Sequence, residues 1–277
     1  MPGLDENILN AYYFLCQNYS FELLFSCRNK HGDTNEPFSH SCTVCPTDEI
    51  VLVGFSRGGF TVRCLAAFVD RVGLLRRRGL PFLNALFRLW RLQRSEADGK
   101  KLDRFIAKLE SNKFLIKPRI NVLAEWDTVS AMGRMRFRPP EFSFVTDTVP
   151  GCVDSAFHAI SIHESRYRFA PMPYHTASSR TKTVRQCLFV GCHSDIGGGS
   201  YDAGLSMLSF LWMVASISNV SSAQFDNAVI FGYHVPLAVE SRLPSHRNLW
   251  RREKSTFISC SHSKGEFANE NVDSLTF

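Results

Sequence analysis

The stretch VLVGFSRGG, residues 51 to 59, constrains the fold more than any other part of the chain. A short apolar run, Ile50 to Val53, leads into Gly54, Ser56 and Gly58. A helical pattern then runs from about Gly58 to Val72, with Phe60, Val62, Leu65, Ala66, Phe68 and Val69 as its apolar members and Gly73 as the expected C-cap. G-x-S-x-G alone is a weak signal, but a strand that turns directly into a helix through it has the layout of a nucleophile elbow. Such a turn holds Ser56 in a strained backbone conformation, and Gly54 and Gly58 are expected to give room where a Cβ would strike neighbouring backbone. The Ser56 Oγ would stand at a helix N-terminus, where the Arg57 backbone N–H and the helix dipole can stabilise a developing oxyanion. A plain strand-turn-helix junction with a capping serine is the alternative reading.

A serine nucleophile needs a base, and the base needs an orienting acid. In an open α/β sheet, functional groups gather beyond the carboxyl ends of the strands. Ile120 to Trp126 reads as a strand ending at Asp127, and Gln186 to Cys192 as one ending at His193. The order Ser56, Asp127, His193 is that of α/β-hydrolases. Asp127 also reads as a cap of the next turn, and Asp195 is the reserve acid. His158 and His163, five apart in HAISIHES, do not share a helical face well and are expected on or near a packing helix. Gly197 to Gly199 read equally as an anion nest or a turn.

Elsewhere, DENILNAYYFLCQN (5 to 18) has helical spacing, SEADGKK reads as a turn before a helix near 102 to 111, GLSMLSFLWMVASI (204 to 217) as a buried helix, and AVIFGY (228 to 233) as a last strand. Strands alternating with helices predict a mostly parallel sheet covered on both faces. The 277 residues are read as a single domain with an irregular insertion at about 21–45 and a polar, unplaced tail from about 240. With 44% hydrophobic and 21% charged residues, fibrous and wholly disordered classes are excluded. The net charge of +6 is too modest for a nucleic-acid signature, so no nucleic-acid partner is expected. The chain has no Walker-type or G-x-G-x-x-G motif, so no nucleotide cofactor is indicated. Cys27, His40, Cys42 and Cys45 offer one C-x-x-C pair with loosely spaced partners, too little for a zinc assignment. The nine scattered cysteines suit a reducing compartment. With no secretory leader and no apolar run of roughly 18 residues, the expected location is cytoplasmic. Residues 76–94 alternate six arginines with Leu83, Leu86, Phe87, Leu89 and Trp90. That is either a peripheral lipid-surface contact or a core-facing helix with a solvated basic side.

Four segments, GFSRGGFTVRCLAAFVDRVGLL, LAEWDTVSAMG, HAISIHESRYRFAPMP and VGCHSDIGGGSYDAGLSMLSFLWMV, resemble successive blocks of one hydrolase family. It is the family of the catalytic domain of type VI secretion phospholipase effectors, which includes many uncharacterised fungal proteins. The resemblance spans about residues 1 to 20 and 47 to 220. It implies an α/β-hydrolase fold, with Ser56 as nucleophile, Asp127 as acid and His193 as base. It also implies hydrolysis of carboxylic esters, phospholipids among them for the secreted effectors, and it implies no substrate for the fungal relatives.

The sequence departs from the family's pattern in two places. Family members begin with a strand ending in an Asp-Gly-Thr type segment upstream of the first helix, and that strand is missing here. The loop after such a strand supplies the second oxyanion donor, so a catalytically inactive or truncated hydrolase-fold protein serving as an interaction module is the rival reading. The second departure is the stretch from about 21 to 45, where the family has a short loop; a translated intron or an incorrect gene model is the expected origin. Transcript sequencing should reveal a form lacking these residues, whereas peptides from inside the stretch in native protein would refute this.

Overall fold

Val51–Phe55 forms the first strand, β1, and it is joined through Ser56 to a 16-residue helix, α2 (Arg57–Val72), as the motif requires. The structure, a computed structural model, describes residues 3–19, 48–93, 95–129, 142, 144–145, 147–175, 183–200 and 203–234. The insertion expected at about 21–45, with Cys27, His40, Cys42 and Cys45, and the tail from about 240 lie outside them.

Among the described residues the main sheet has four strands in the order β1-β4-β5-β6, with β4 Ile120–Trp126, β5 Val153–Ser161 and β6 Thr183–Phe189. Every neighbouring pair is parallel. Parallel sheets are normally covered on both faces, and β4 and β5 show it: Val122, Leu123, Ala124 and Glu125, like Ala156, Phe157, His158 and Ala159, are all buried. Leu123 and Ala156 join a large core with α1 (Leu4–Asn18), α2, α3 (Leu83–Arg91) and α4 (Glu96–Ser111). Val122, Ala124, Phe157 and Ala159 pack on the other side against Ile196 and against Met213 and Ile217 of α6 (Gly204–Ser218). The architecture is therefore α/β with a parallel sheet between helices.

The first core is aromatic. Phe68 of α2 lies 4.7 Å from Tyr12, 4.8 Å from Trp90 and 5.4 Å from Phe87, centroid to centroid. Leu4, Ile8, Tyr12 and Cys16 recur every four residues and form the buried stripe of α1. α2 ends at Gly73, whose φ of +82° and the Ile116 carbonyl oxygen 2.1 Å from any added Cβ admit only glycine. It is followed by a small hairpin of β2 (Leu74–Leu75) and β3 (Leu115–Ile116).

Several expectations need correction. HAISIHES is not itself helical, although α5 (His193–Gly197) and α6 pack against it: His158 sits inside β5, a strand buried on both faces that therefore shows no period-2 alternation. The stretch 228–233 is helical, in the short turns Asn227–Val229 and Ile230–His234, not a strand; the Asp226 carboxylate accepts the Ala228 and Val229 N–H groups and starts the helix. SEADGKK is already helix, because the Ser95 side chain caps α4 by accepting the Asp98 N–H. β6 begins and ends three residues earlier than expected. In the basic stretch, Leu83, Leu86, Phe87 and Trp90 are buried and Arg76, Arg77, Arg78 and Arg88 are exposed, so its apolar face is occupied by the core. Among the described residues no helix is long and apolar enough to cross a membrane.

Tyr12 ties α1 to the hairpin. Its hydroxyl donates to the Gly73 carbonyl (2.9 Å) and accepts the Leu75 N–H (3.1 Å) in a buried position. Tyr12→Phe strands both backbone groups and should lower stability by about 1–3 kcal/mol in urea denaturation, with the denaturant slope unchanged.

Candidate functional site

The backbone at Ser56 is held at φ +57°, ψ −123°, a left-handed conformation that a serine adopts only under constraint. The constraint is visible. The Ser56 N–H donates to the Trp126 carbonyl (2.9 Å), and the Ser56 carbonyl accepts from Phe60 and Val129. An added Cβ on Gly54 would lie 2.5 Å from the Gly58 carbonyl oxygen, as expected of an elbow. At Gly58, by contrast, a Cβ would meet open space. The crowded position is Gly59, where a Cβ would fall 2.2 Å from Thr128 Oγ1, so the steric role assigned to Gly58 belongs to Gly59. Arg57 is the first residue of α2, so its N–H has no partner within the helix.

Asp127 follows the last residue of β4 and is completely buried, with φ +41°. Its own N–H donates to the Ala159 carbonyl (2.7 Å). Ser161, at the end of β5, donates its N–H to Oδ1 (2.8 Å) and its hydroxyl to Oδ2 (2.9 Å). Oδ2 also lies 2.7 Å from His193 Nδ1.

His193 does not end a strand. It opens the short helix α5 (His193–Gly197), four residues past β6, after a turn at Gly191 with φ +125°. Its ring is nearly buried between Phe55, 4.7 Å away, and Phe169, 4.9 Å away and edge-on. Its main-chain N–H donates to Glu164 Oε2 (3.4 Å). With Nδ1–H donated to Asp127, Nε2 is left to accept the Ser56 hydroxyl, and the two atoms are 2.7 Å apart. The three residues singled out from sequence thus form one hydrogen-bonded chain. Asp195, the reserve acid, is committed elsewhere: its carboxylate accepts the Cys192 N–H (2.8 Å) and the Ser200 hydroxyl (2.6 Å). His163 Nδ1 accepts the Gly191 N–H (3.1 Å) and shapes the same loop.

Beneath this chain lies a charged layer that was not anticipated. Arg63 of α2 makes a two-pronged ion pair with Glu125 of β4, both fully buried, and donates to the Met172 carbonyl (3.0 Å). The Tyr174 hydroxyl donates to Glu125 Oε1 (2.8 Å) and the Thr128 hydroxyl to Oε2 (3.0 Å). The guanidinium also stacks 4.0 Å over the Tyr174 ring. The sequence signal was present: a glutamate within the apolar run NVLAEW and an arginine among the apolar positions of α2. Burial alone would raise the Glu125 carboxyl, but the Arg63 guanidinium outweighs it and holds the group below the ordinary carboxylate range. Burial pushes the His158 imidazole down to about 4, against the attraction of Glu125 and Asp127. Among the described residues no group of three or more His, Cys, Asp or Glu is placed to hold a metal ion.

The family model of the T6SS phospholipase effector Tle1-like catalytic domain matches residues 2–216. The chain belongs to this family. An uncharacterised protein of Saccharomyces cerevisiae is 27% identical to this Tle1-like chain over 181 residues, which are 62% of the chain and 22% of the yeast protein. The crystal structure of an uncharacterised protein from Pseudomonas aeruginosa matches 74% of the chain and 30% of its own, at 17% identity and a TM-score of 0.33. The Tle1-like chain therefore spans well under half the length of either.

The lowered His158 pKa has a thermodynamic consequence. Between the ordinary histidine value of 6.5 and about 4, the unfolded chain binds a proton that the native state refuses. This contribution to stability is complete above about pH 6.5 and is lost progressively down to about pH 4, about 3 kcal/mol in all. Glu125, with its lowered value, extends the loss to still lower pH. Urea midpoints should fall across this window, and His158→Gln should flatten the fall; an equally steep slope in the variant would contradict the assignment.

Proposed function

We propose that the chain is a serine hydrolase of the α/β-hydrolase type, one domain over residues 1–277, that cleaves carboxylic esters of lipids, phospholipids among them. The observation that carries this reading is the unbroken chain Ser56 Oγ, His193 Nε2, His193 Nδ1, Asp127 Oδ2, with 2.7 Å at both junctions. Ester hydrolysis needs a nucleophile, a base and an acid in this relation, and a capping serine does not.

In the reaction, His193 takes the Ser56 proton as Oγ attacks the ester carbonyl. The Arg57 N–H and the N-terminus of α2 face the oxyanion that develops. Asp127 keeps the Nδ1–H tautomer and offsets the charge of the imidazolium. The tetrahedral intermediate collapses as His193 returns the proton to the leaving alcohol, leaving an acyl-Ser56. Water, deprotonated by His193, then attacks the acyl carbonyl, and its collapse releases the carboxylic acid and restores Ser56. Contact with a lipid surface through residues 76–94 would rest on the exposed Arg76, Arg77, Arg78 and Arg88, since the apolar side of that segment is in the core.

A fluorophosphonate probe should label the native protein and fail to label Ser56→Ala. Asp127→Asn should lower turnover of a soluble ester by about 10⁴-fold while the protein stays folded. Folded protein without Ser56-dependent labelling would instead support a non-catalytic interaction module.

A further inference from the structure

Asp127 occupies the left-handed region at φ +41°. That conformation turns the following peptide out of the β4 ladder, so the Thr128 N–H has no strand carbonyl to meet. It donates instead to a side chain, His158 Nε2, at 3.1 Å in a buried setting. His158 stands on β5 in register with Glu125. Its strand neighbour Ala159 accepts the Asp127 N–H, and Ser161 supplies two donors to the carboxylate. One strand therefore holds Asp127 by the N–H before its side chain, the N–H after it, and both carboxylate oxygens.

We propose that His158 is a positioning residue for the Asp127–His193 pair. By accepting the Thr128 N–H, its neutral imidazole fixes the left-handed turn that aims Asp127 at His193 Nδ1. The inference rests on the hydrolase reading of the site.

The surroundings explain why a histidine suits this position. The groups facing it are Glu125 of β4 and Asp127 just past its end, Arg63 of α2, Gln186 in register on β6, and Tyr174, whose ring lies edge-on at 6.0 Å. A carboxylate here would place a third negative charge beside Glu125 and Asp127, and a lysine or arginine would offer only donors. A neutral imidazole supplies a rigid, uncharged acceptor. Burial keeps it unprotonated down to about pH 4, so the acceptor persists wherever an imidazole base can work. Thr128 is clamped from the remaining sides, by its hydroxyl bond to Glu125 and by the absence of a side chain at Gly59. The turn therefore has contacts to α2, β4 and β5, and only the one to β5 acts on its backbone N–H.

The test compares the native protein with His158→Leu, which removes the acceptor, and His158→Gln, which keeps an amide oxygen near it. Rates on a soluble ester are taken per site titrated with fluorophosphonate. His158→Leu should lower kcat about 10- to 100-fold, the scale of a misplaced catalytic group, with KM unchanged. The acid limb of the pH profile should change with it, because the contact between Asp127 and the His193 ring is loosened. His158→Gln should recover most of both. A purely structural role would reduce the titratable fraction while leaving per-site kcat and the acid limb at native values, and that result overturns the proposal. If His158→Leu does not fold, His158→Asn, too short to reach the Thr128 N–H, provides the same comparison.

The low-field proton resonance of the His193–Asp127 hydrogen bond reads the coupling without turnover. It should be present in the native protein and in His158→Gln, and be shifted upfield or lost in His158→Leu. Native protein that fails to label at Ser56 would defeat the hydrolase reading while this resonance still decides the role of His158. An unchanged resonance in His158→Leu defeats the positioning role alone.

Discussion

A fully buried carboxylate must be offered hydrogen bonds on every side, because taking it out of water costs several kcal/mol that a single partner does not return. Asp127 is in that position, and the layout of the sheet follows from satisfying it. Two of its hydrogen bonds come from Ser161, which requires β5 to run parallel beside β4 and to extend past its end. The third comes from His193, so the chain leaving β6 has to be brought back across the strand ends. An aspartate that only capped a turn would not need donors from two further segments.

The layer below has a different logic. Arg63 and Glu125 are both inaccessible to solvent, and a well-packed apolar pair of the same volume would often be as stable. What the ion pair provides is direction. Glu125 has four oxygen-directed bonds, two from Arg63 and one each from Tyr174 and Thr128, and a carboxylate so held allows little sliding of α2 over β4. Because Ser56 rides on α2 and Asp127 on β4, the register of that packing sets the distance between them. Removing either charge alone would leave the other buried without a partner, the costly case.

The sequence was legible where local chemistry decides the outcome. Gly54 and Ser56 announced a turn that only a strained backbone can make, β4 was bounded correctly at Trp126, and Gly73 marked the end of α2. Ser56, Asp127 and His193 were named because complementary groups fell at successive apolar runs. The parts that were not legible depend on contacts distant in sequence. β5 escaped because a strand buried on both faces carries no alternation, and its polar members, His158 and Ser161, acquire meaning only once Asp127 lies beside them. Gly58 and Gly59 are indistinguishable in sequence; Thr128, some 70 residues further on, makes one tight and leaves the other open. The pattern of segment 76–94 fits a lipid-surface helix and a core-facing one alike, and the aromatic partners of Trp90, Phe68, Phe142 and Phe144, decide that its apolar side faces inward.

The strand order also explains a glycine that the motif did not require. β6 lies three strand spacings from β1, roughly 14 Å at the usual separation of parallel strands, which is farther than an imidazole can span. His193 therefore reaches Ser56 only if its backbone crosses above β5 and β4, and the Gly191 turn followed at once by α5 accomplishes this. The crossing brings the far end of α5 down onto the end of β1. There a Cβ on Gly197 would lie 1.9 Å from the Phe55 ring, the same ring that packs against the His193 imidazole. A larger residue at 197 would lift α5, and with it the histidine, away from the serine. Gly197 thus belongs to the geometry of the site although it carries no chemistry of its own.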